Sequence, residues 1–484
     1  MAVVEQPITQ KKTRIVSVVA ATVIALACGT NYAYSAWAPQ FADKLQLSAT
    51  QSNVIGTSAN LGMYVSGIPM GIITDRKSPR LSGLIGMVAL FVGYFPIHVA
   101  YDKGVGSMSV GLISLCSFIS GLGSCAAFQA ALKTATLNWP THRGTASAFP
   151  LAAFGLSAFF YTLIAGIAFP GDTSSFLLLL SFGTSSLVLG ALPFLRVVDH
   201  RPGAGYTGVP TAERTRRDSN LLHRTRSNGS KTSSRYSRSS LPQQEINITG
   251  VALLYKTQFW QLWILMGLLT GVGLMTINNI GHDVQALWNH YDPKLDKDFV
   301  VHRQLLHVSI ISLCSFLGRL SSGIGSDIIV KKLGMSRFWC VAISATVFML
   351  AQVCAIRIED PHYLWAVSGL CGLAYGILFG VLPSLVVDAF GPDGFAVNWG
   401  VMTLAPVISG NVFNLFYGAV YDSYSEIQPS GERNCDEGLI CYRAAYYVTL
   451  VSSILGLVTC FWGIRHEQLI RKKEEAEHEG HRDA

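Results

Sequence analysis

Long apolar runs separated by short polar stretches dominate the chain. Twelve of them are long enough to cross a bilayer, since about 20 helical residues span a hydrocarbon core of about 30 Å. The first six cover residues 15–38, 52–74, 81–100, 107–135, 145–169 and 174–195. The second six cover residues 259–281, 304–330, 337–356, 362–387, 395–420 and 444–464.

Each run is predicted to be an α-helix, because lipid offers no partner for exposed backbone N–H and C=O groups. The strands of a membrane β-barrel would alternate apolar and polar residues over about 10 positions, and these runs do not alternate. The pattern therefore predicts an all-α membrane protein with twelve transmembrane helices.

Composition agrees with a membrane protein and excludes other classes. Half of the 484 residues are hydrophobic and 13% are charged, against about 25% charged residues in soluble domains. The mean hydropathy is +0.38. A soluble globular domain, a disordered chain and a small disulfide scaffold are excluded. The net charge of +7 does not indicate a nucleic-acid partner, because in a membrane chain the position of charges matters more than their sum.

Lys and Arg are unevenly divided between the two sides of the membrane. The side that holds the termini carries 26 of them and the other side 8, and 15 remain against 8 when the long linker is left out. The positive-inside rule therefore predicts that both termini are cytosolic. No secretory signal is evident. The predicted order is a cytosolic tail (1–14), a six-helix bundle (15–195), a linker (196–258), a second six-helix bundle (259–464) and a cytosolic tail (465–484).

The linker 196–258 is rich in Ser, Arg, Gly and Pro and is predicted to be disordered. Its segments 216–219 and 224–227 place Arg before Ser, a pattern that suits basic-directed protein kinases. A solvated basic segment beside anionic lipid would have the same composition, so both interpretations stay open.

The two predicted bundles share landmarks at a nearly constant offset. Asp75 follows a Ser-Gly-Ile segment in the second run, and Asp327 follows another in the eighth run, 252 positions later. Gly144 and Gly394, before the fifth and eleventh runs, are 250 positions apart. Six crossings return the chain to the same side, so equivalent helices keep one direction. The spacing predicts two six-helix bundles related by a parallel pseudo-two-fold repeat.

Several segments resemble a known family. The stretch from Gly71 to Arg80, GIITDRKSPR, is similar to the loop signature G-x-L-A-D-R-x-G-R-R/K of the major facilitator superfamily. The resemblance to this superfamily covers all twelve runs, and a narrower resemblance is to the nodulin-like branch and to fungal proteins called monocarboxylate-permease homologues. Its motifs are residues 28–39 (CGTNYAYSAWAP), 138–144 (NWPTHRG), 155–158 (GLSA), 278–279 (NN) and 318–327 (GRLSSGIGSD). The resemblance implies a transporter, a monocarboxylate as substrate and a vacuolar rather than a plasma-membrane location.

Arg319 is the strongest candidate for a substrate contact. It lies eight residues before Asp327, so helix rise places it about 12 Å inside the cytosolic edge. A cation that faces lipid at this depth costs several kcal/mol or more, so Arg319 is expected to face a cavity. There it can hold a carboxylate by paired hydrogen bonds. A structural ion pair, or contacts with backbone carbonyls, is the alternative.

Neutral and acidic polar residues give weaker candidates. Asn31, Tyr34, Asn278 and Asn279 are predicted to line the cavity, with hydrogen bonding between helices as the alternative. His282 and Asp283 are adjacent near the predicted outer end of the seventh helix, where they are candidates for carrying a coupled proton or are ordinary interfacial residues.

Charges at the cytosolic ends of helices are predicted to form a gate that opens and closes with the cavity. The residues are Asp75, Arg76, Arg80, Arg143 and Asp327. A solvated turn is the alternative. Gly372, Gly376 and Gly380, at a spacing of four, predict close helix packing. Cys435 and Cys441 lie in the last non-cytosolic loop, where a disulfide is predicted with two free thiols as the alternative.

Together these features predict a secondary active or facilitative transporter that moves a small organic anion by alternating access. The alternative function is a nutrient sensor with a transporter fold that signals through the linker. No catalytic motif and no Walker loop for ATP occurs in the sequence. No enzyme activity, no cofactor and no metal site is therefore predicted, and a monomer in the lipid bilayer is expected.

Overall fold

A computed structural model describes residues 8–139, 143–198, 248, 250–391, 395–427 and 433–480. The predicted kinase segments in the linker lie outside the described residues. The helices of the N-terminal half are α1 (Ile8–Cys28), α2 (Ala38–Leu45), α3 (Ala49–Val65), α4 (Gly67–Arg76), α5 (Pro79–Lys103), α6 (Val110–Asn138), α7 (Arg143–Ala168) and α8 (Thr173–Ala191). A 3₁₀ helix, Gly29–Ala36, joins α1 to α2, and a shorter one, Leu192–Phe194, follows α8.

The C-terminal half is also helical. Its helices are α9 (Thr257–Tyr291), α10 (Lys297–Leu333), α11 (Phe338–Arg357), α12 (Trp365–Phe390), α13 (Phe395–Met402), α14 (Leu404–Tyr424) and α15 (Ile440–Gly480). Short 3₁₀ helices cover Gly250–Tyr255 and Pro361–Tyr363. Two two-residue strands, β1 (Glu426–Ile427) and β2 (Arg433–Asn434), pair antiparallel before α15.

Eleven helical segments of the described chain are long and apolar enough to cross a membrane. The chain is therefore an integral multi-pass membrane protein. The predicted second run, 52–74, is the exception, because it divides at Ser66 into α3 and α4 and neither part is long enough alone. The run 395–420 divides in the same way at Thr403 into α13 and α14.

Within the predicted runs, the described backbone departs from α-helix at three buried points. They are the 3₁₀ helix Gly29–Ala36, whose residues are all buried, and the breaks at Ser66 and Thr403. The Thr403 hydroxyl donates to the Tyr64 carbonyl (3.4 Å), two residues before the break at Ser66. Interrupted helices are tolerated at membrane depth where protein surrounds them, and in transporters they often mark a binding site.

Some predicted boundaries differ from those of the structure. The seventh run was expected to end at residue 281, but α9 continues to Tyr291, because the polar residues His282 and Asp283 are buried by other helices rather than exposed at the interface. The predicted disordered linker was expected to reach residue 258. Its last part is ordered instead, since residues 250–255 form a 3₁₀ helix and the Ile248 N–H donates to the Phe390 carbonyl (2.9 Å).

Close packing between α10 and α12 depends on glycine, as the spacing of Gly372 and Gly376 predicted. A Cβ atom at Gly376 would lie 2.2 Å from the Ser315 carbonyl oxygen, and one at Gly372 would lie 2.3 Å from that of Ile311. Both distances are far inside van der Waals contact, so the predicted close packing is confirmed.

We expect Gly376→Ala to destabilise the protein by roughly 1–3 kcal/mol, because the added methyl group must push α10 and α12 apart. Gly323→Ala is the matched control, since a Cβ at Gly323 on α10 meets no heavy atom within 4 Å. Thermal unfolding in detergent, followed by size-exclusion fluorescence, compares the two. Equal melting temperatures for both variants would contradict the packing.

Candidate functional site

Arg319 lies in the middle of α10, 6% exposed, and points toward the N-terminal half. Its Nη1 donates to the Leu151 carbonyl of α7 (3.1 Å). The guanidinium carbon is 5.6 Å from the ring centre of Phe154 on α7 and 5.5 Å from that of Phe379 on α12. The cation is therefore enclosed by both halves.

Two donor groups of this guanidinium are unused. Nε and Nη2 are buried and have no hydrogen-bond partner among the described residues. A buried donor without a partner costs roughly 1–3 kcal/mol, and more when it is charged. Arg319 is thus prepared to receive an acceptor, and a carboxylate would offer two oxygens.

Gly155 provides the space in which the guanidinium lies. A Cβ atom at this position would be 3.1 Å from Nε and 3.2 Å from Cδ of Arg319. A larger residue would displace the side chain, so the GLSA segment of α7 serves to admit the arginine.

Three tyrosine hydroxyl groups meet beside this region and join the halves. The hydroxyl oxygen of Tyr375 on α12 lies 3.3 Å from that of Tyr32 and 3.3 Å from that of Tyr64. Tyr32 belongs to the 3₁₀ helix, and its ring packs edge-on against Phe154. All three side chains are buried. Their contact could not be predicted from the sequence, because a tyrosine in an apolar run gives no sign of its partner.

A small cavity of about 10 Å³ lies next to the tyrosines, lined in part by Tyr32, Gly155, Ala158, Ser315 and Tyr375. This volume holds about one water molecule. The Ser315 hydroxyl is buried without a partner among the described residues, one turn from Arg319. The halves must therefore separate before a larger molecule can enter.

The neutral polar candidates take different positions. The Asn31 amide donates to the Ala59 carbonyl (3.4 Å), the Tyr34 hydroxyl to the Ser52 carbonyl (2.5 Å) and the Asn279 amide to Asn414 Oδ1 (2.8 Å). These bonds join neighbouring helices of one half. Asn278 is buried, and its Nδ2 has no partner among the described residues.

The predicted gate is only partly described. The side chains of Asp75, Arg76, Arg143 and Asp327 lie outside the described part of the structure. Arg80 Nε donates to the Leu195 carbonyl (2.9 Å) and thus binds the chain just after α8 in its own half.

An ion pair that was not predicted from the sequence lies at the same end of the molecule as the predicted gate. Arg337 Nε is 2.8 Å from Asp388 Oδ2. The two residues belong to separate elements of the C-terminal half, 51 positions apart.

The opposite end, where α3 begins and α14 ends, is called the distal end here. Asp422 of α14 accepts hydrogen bonds there from the Ala49 N–H (2.7 Å), the Thr50 N–H (3.0 Å) and the Thr50 hydroxyl. A carboxylate at a helix N-terminus is stabilised by unpaired N–H groups and the helix dipole. Asp422 thus caps a helix of the other half.

A second contact between the halves lies at the distal end. The Gln40 amide of α2 donates to Gln304 Oε1 of α10. Ser48 and Gln51 form a capping box, so the start of α3 can be recognised in the sequence. The contact of this helix end with Asp422 of the other half cannot.

His282 and Asp283 are buried within α9, nine and eight residues before it ends at Tyr291. Asp283 accepts hydrogen bonds from the hydroxyl groups of Tyr417 (2.6 Å) and Tyr446 (2.5 Å). The position is deeper in the protein than the sequence predicted.

Cys435 and Cys441 are joined by a disulfide at the distal end. The other eight cysteines are free. The bonded loop contacts α9, since His290 Nδ1 lies 2.8 Å from the Asp436 carbonyl. No group of three or more His, Cys, Asp or Glu residues that could hold a metal ion occurs among the described residues.

We expect Asp422→Ala to loosen the distal end, because it removes the acceptor of three hydrogen bonds between the halves. In a Gln304→Cys background, where the native Gln304 is buried, alkylation by a bulky maleimide in detergent should speed up several-fold. Asp172→Ala is the control, since Asp172 caps α8 within one half. Equal alkylation rates in both variants would show that the cap does not hold the halves together.

Comparison with known proteins gives consistent results. The family model described as nodulin-like matches residues 14–221. The chain is 28% identical to an uncharacterized membrane protein of Saccharomyces cerevisiae, covering 91% of this chain and 93% of the relative. It is 23% identical to the probable transporter MCH1 of Neurospora crassa, covering 92% and 86%.

Solved structures show the same fold. A bacterial homolog of the human lysosomal transporter Spinster, inward-facing and unoccupied, superimposes with a TM-score of 0.62 at 12% identity, covering 95% of this chain and 98% of that one. The nucleoside transporter NupG gives a TM-score of 0.58 at 12% identity, covering 92% and 98%. The chain therefore has the same all-helical fold as these two transporters, and its resemblance to the nodulin-like family is confirmed.

Proposed function

We propose that this protein is a membrane transporter that moves a small organic anion by alternating access, either driven by a second solute or by facilitated diffusion. The observation that carries the proposal is the buried Arg319 guanidinium, which lies between the two halves with Nε and Nη2 free. Relatives named probable transporters support a transport function.

The electrostatics favour an anion as substrate. A buried cation without a counter-charge is costly in a low-dielectric interior, and an anion removes much of that cost. Among the described residues, the other buried arginine is Arg14, near the start of α1. One central cation matches one negative charge. This match, with the naming of the fungal relatives suggested by the sequence resemblance, leads us to propose a monocarboxylate.

Alternating access requires two halves that separate at one end at a time. We infer twelve spans in two six-helix bundles related by a parallel pseudo-two-fold repeat, with α3 and α4 together forming the second span. Contacts between the halves lie at the distal end and beside the helix breaks. They also include the packing of α7 along α10, where the Ser312 hydroxyl donates to the Gly155 carbonyl (2.7 Å), and of α3 along α14, so both faces must part in turn. Substrate shifts the equilibrium only if it binds the two conformations unequally.

We further propose that both termini are cytosolic and that the vacuolar membrane is the location. The distal end, with its disulfide, would then face the vacuolar lumen. A copy with a fluorescent tag at the C-terminus should label the vacuolar rim in living fungal cells. Protease added to intact vacuoles should remove the tag, and its protection would contradict the orientation.

We expect Arg319→Ala and Arg319→Lys each to lower anion uptake at least about tenfold, because Lys cannot reproduce the planar fork of donors that binds a carboxylate. The measurement is uptake of a panel of labelled monocarboxylates and dicarboxylates by liposomes that contain the purified protein, with and without a pH gradient.

Arg303→Lys is the matched control. Arg303 lies on the same helix and also stacks on two aromatic rings, those of Trp288 (5.4 Å) and Phe299 (4.8 Å), but near the distal end. Anion uptake by the Arg303→Lys variant should equal that of the unchanged protein. Unchanged uptake in a well-folded Arg319→Ala variant would remove Arg319 from the site. Ligand binding without any flux would favour the nutrient sensor over the transporter.

A further inference from the structure

Asp283 is a carboxylate enclosed by the C-terminal half. It is 1% exposed, and each of its oxygens accepts one tyrosine hydroxyl group, that of Tyr417 from α14 and that of Tyr446 from α15. Both tyrosines are themselves fully buried. The hydroxyl groups hold the carboxylate in place without supplying a positive charge.

The surroundings of Asp283 contain other titratable groups but no cation in contact. Those that face it or its two tyrosines are Tyr421, Tyr442, Cys371 and, on α9 itself, His282. No ion pair of Asp283 occurs among the described residues. An isolated ionised carboxylate in an apolar interior is so costly that such a group tends to take up a proton. Ionisable residues inside membranes accordingly mark ion and proton pathways.

A line of polar side chains leads from Asp283 to the distal end. The Tyr417 ring stacks on that of Tyr421 (5.9 Å), and the Tyr421 ring packs against His282 (5.4 Å). His282 Nε2 is buried without a partner among the described residues, and Asp422 directly follows Tyr421 in α14. Asp422 is also the cap that joins α14 to α3.

We propose that Asp283 is a proton-binding site, held by Tyr417 and Tyr446 and loaded from the distal end through His282 when the Asp422 cap opens. The proton comes from water at the distal end, passes over the imidazole and resides on a carboxyl oxygen of Asp283. The site lies apart from Arg319, so proton and anion would occupy separate places.

The site is tested directly by infrared spectroscopy of the purified protein in liposomes over a range of pH. A protonated carboxyl group gives its own C=O band, which is separate from that of the carboxylate. The unchanged protein should show such a band, and Asp283→Asn should lose it. Glu359→Gln, at an exposed carboxylate, should leave the band in place.

The tyrosines provide a second test that holds even where Asp283→Asn fails to fold. Tyr446→Phe removes a hydroxyl group that contacts the carboxyl group, so the band should move to higher frequency. Tyr442→Phe is the matched control on the same helix, because its buried hydroxyl group has no partner among the described residues. A band that is unaffected by Asp283→Asn, or that responds equally to the two tyrosine variants, would overturn the proposal.

The role of this proton in transport rests on the proposed function and needs a separate measurement. With a labelled monocarboxylate that the unchanged protein transports, Asp283→Asn should retain exchange between equal pools on both sides. It should lose accumulation driven by a pH gradient. Gradient-driven accumulation that persists in Asp283→Asn would overturn the coupling of this proton to transport. If the unchanged protein shows no flux at all, the proposed transport function is contradicted, and the infrared measurement alone tests whether Asp283 binds a proton.

Discussion

The Arg319 guanidinium lies at membrane depth with only one of its three nitrogens hydrogen-bonded within the described structure. Both halves of the molecule contribute to its enclosure, through Leu151 and Phe154 on one side and Phe379 on the other. An arrangement of this kind is stable only while the halves exclude lipid, because acyl chains can neither solvate the charge nor accept its hydrogen bonds. The packing of the two halves and the chemistry of the centre therefore depend on each other.

Interruptions of the helices make this centre possible. The 3₁₀ helix Gly29–Ala36 brings Tyr32 beside Tyr375, and the breaks at Ser66 and Thr403 lie where α3, α4, α13 and α14 meet. Glycines act in the opposite way within a half, since Gly372 and Gly376 let α10 and α12 approach closely and move together. The molecule thus combines glycine-dependent packing inside each half with both polar and aromatic contacts between the halves.

The acidic centre at Asp283 differs from the basic centre at Arg319 in its partners. Arg319 has unused donors and stands at the interface of the halves, whereas the Asp283 oxygens are each occupied by a tyrosine hydroxyl group within one half. Rocking of the halves would change the surroundings of Arg319 directly. Asp283 would be affected through the distal contact of Asp422, which lies five residues beyond Tyr417 and one residue beyond Tyr421 on α14.

The amino-acid sequence by itself determined the membrane-spanning class, nearly all spans, the burial of Arg319 within the protein and the close approach at Gly376. The membrane spans follow from the hydropathy averaged over about 20 residues. The close approach at Gly376 follows from the regular spacing of glycines along one helix. The tertiary structure alone decided which N–H groups of Arg319 remain free, that Asp422 caps α3, and that Tyr417 and Tyr446 hold Asp283. Those partners are more than 130 positions apart in the chain. A hydrogen bond depends on distances of a few tenths of an ångström, and apolar periodicity carries no information on such distances.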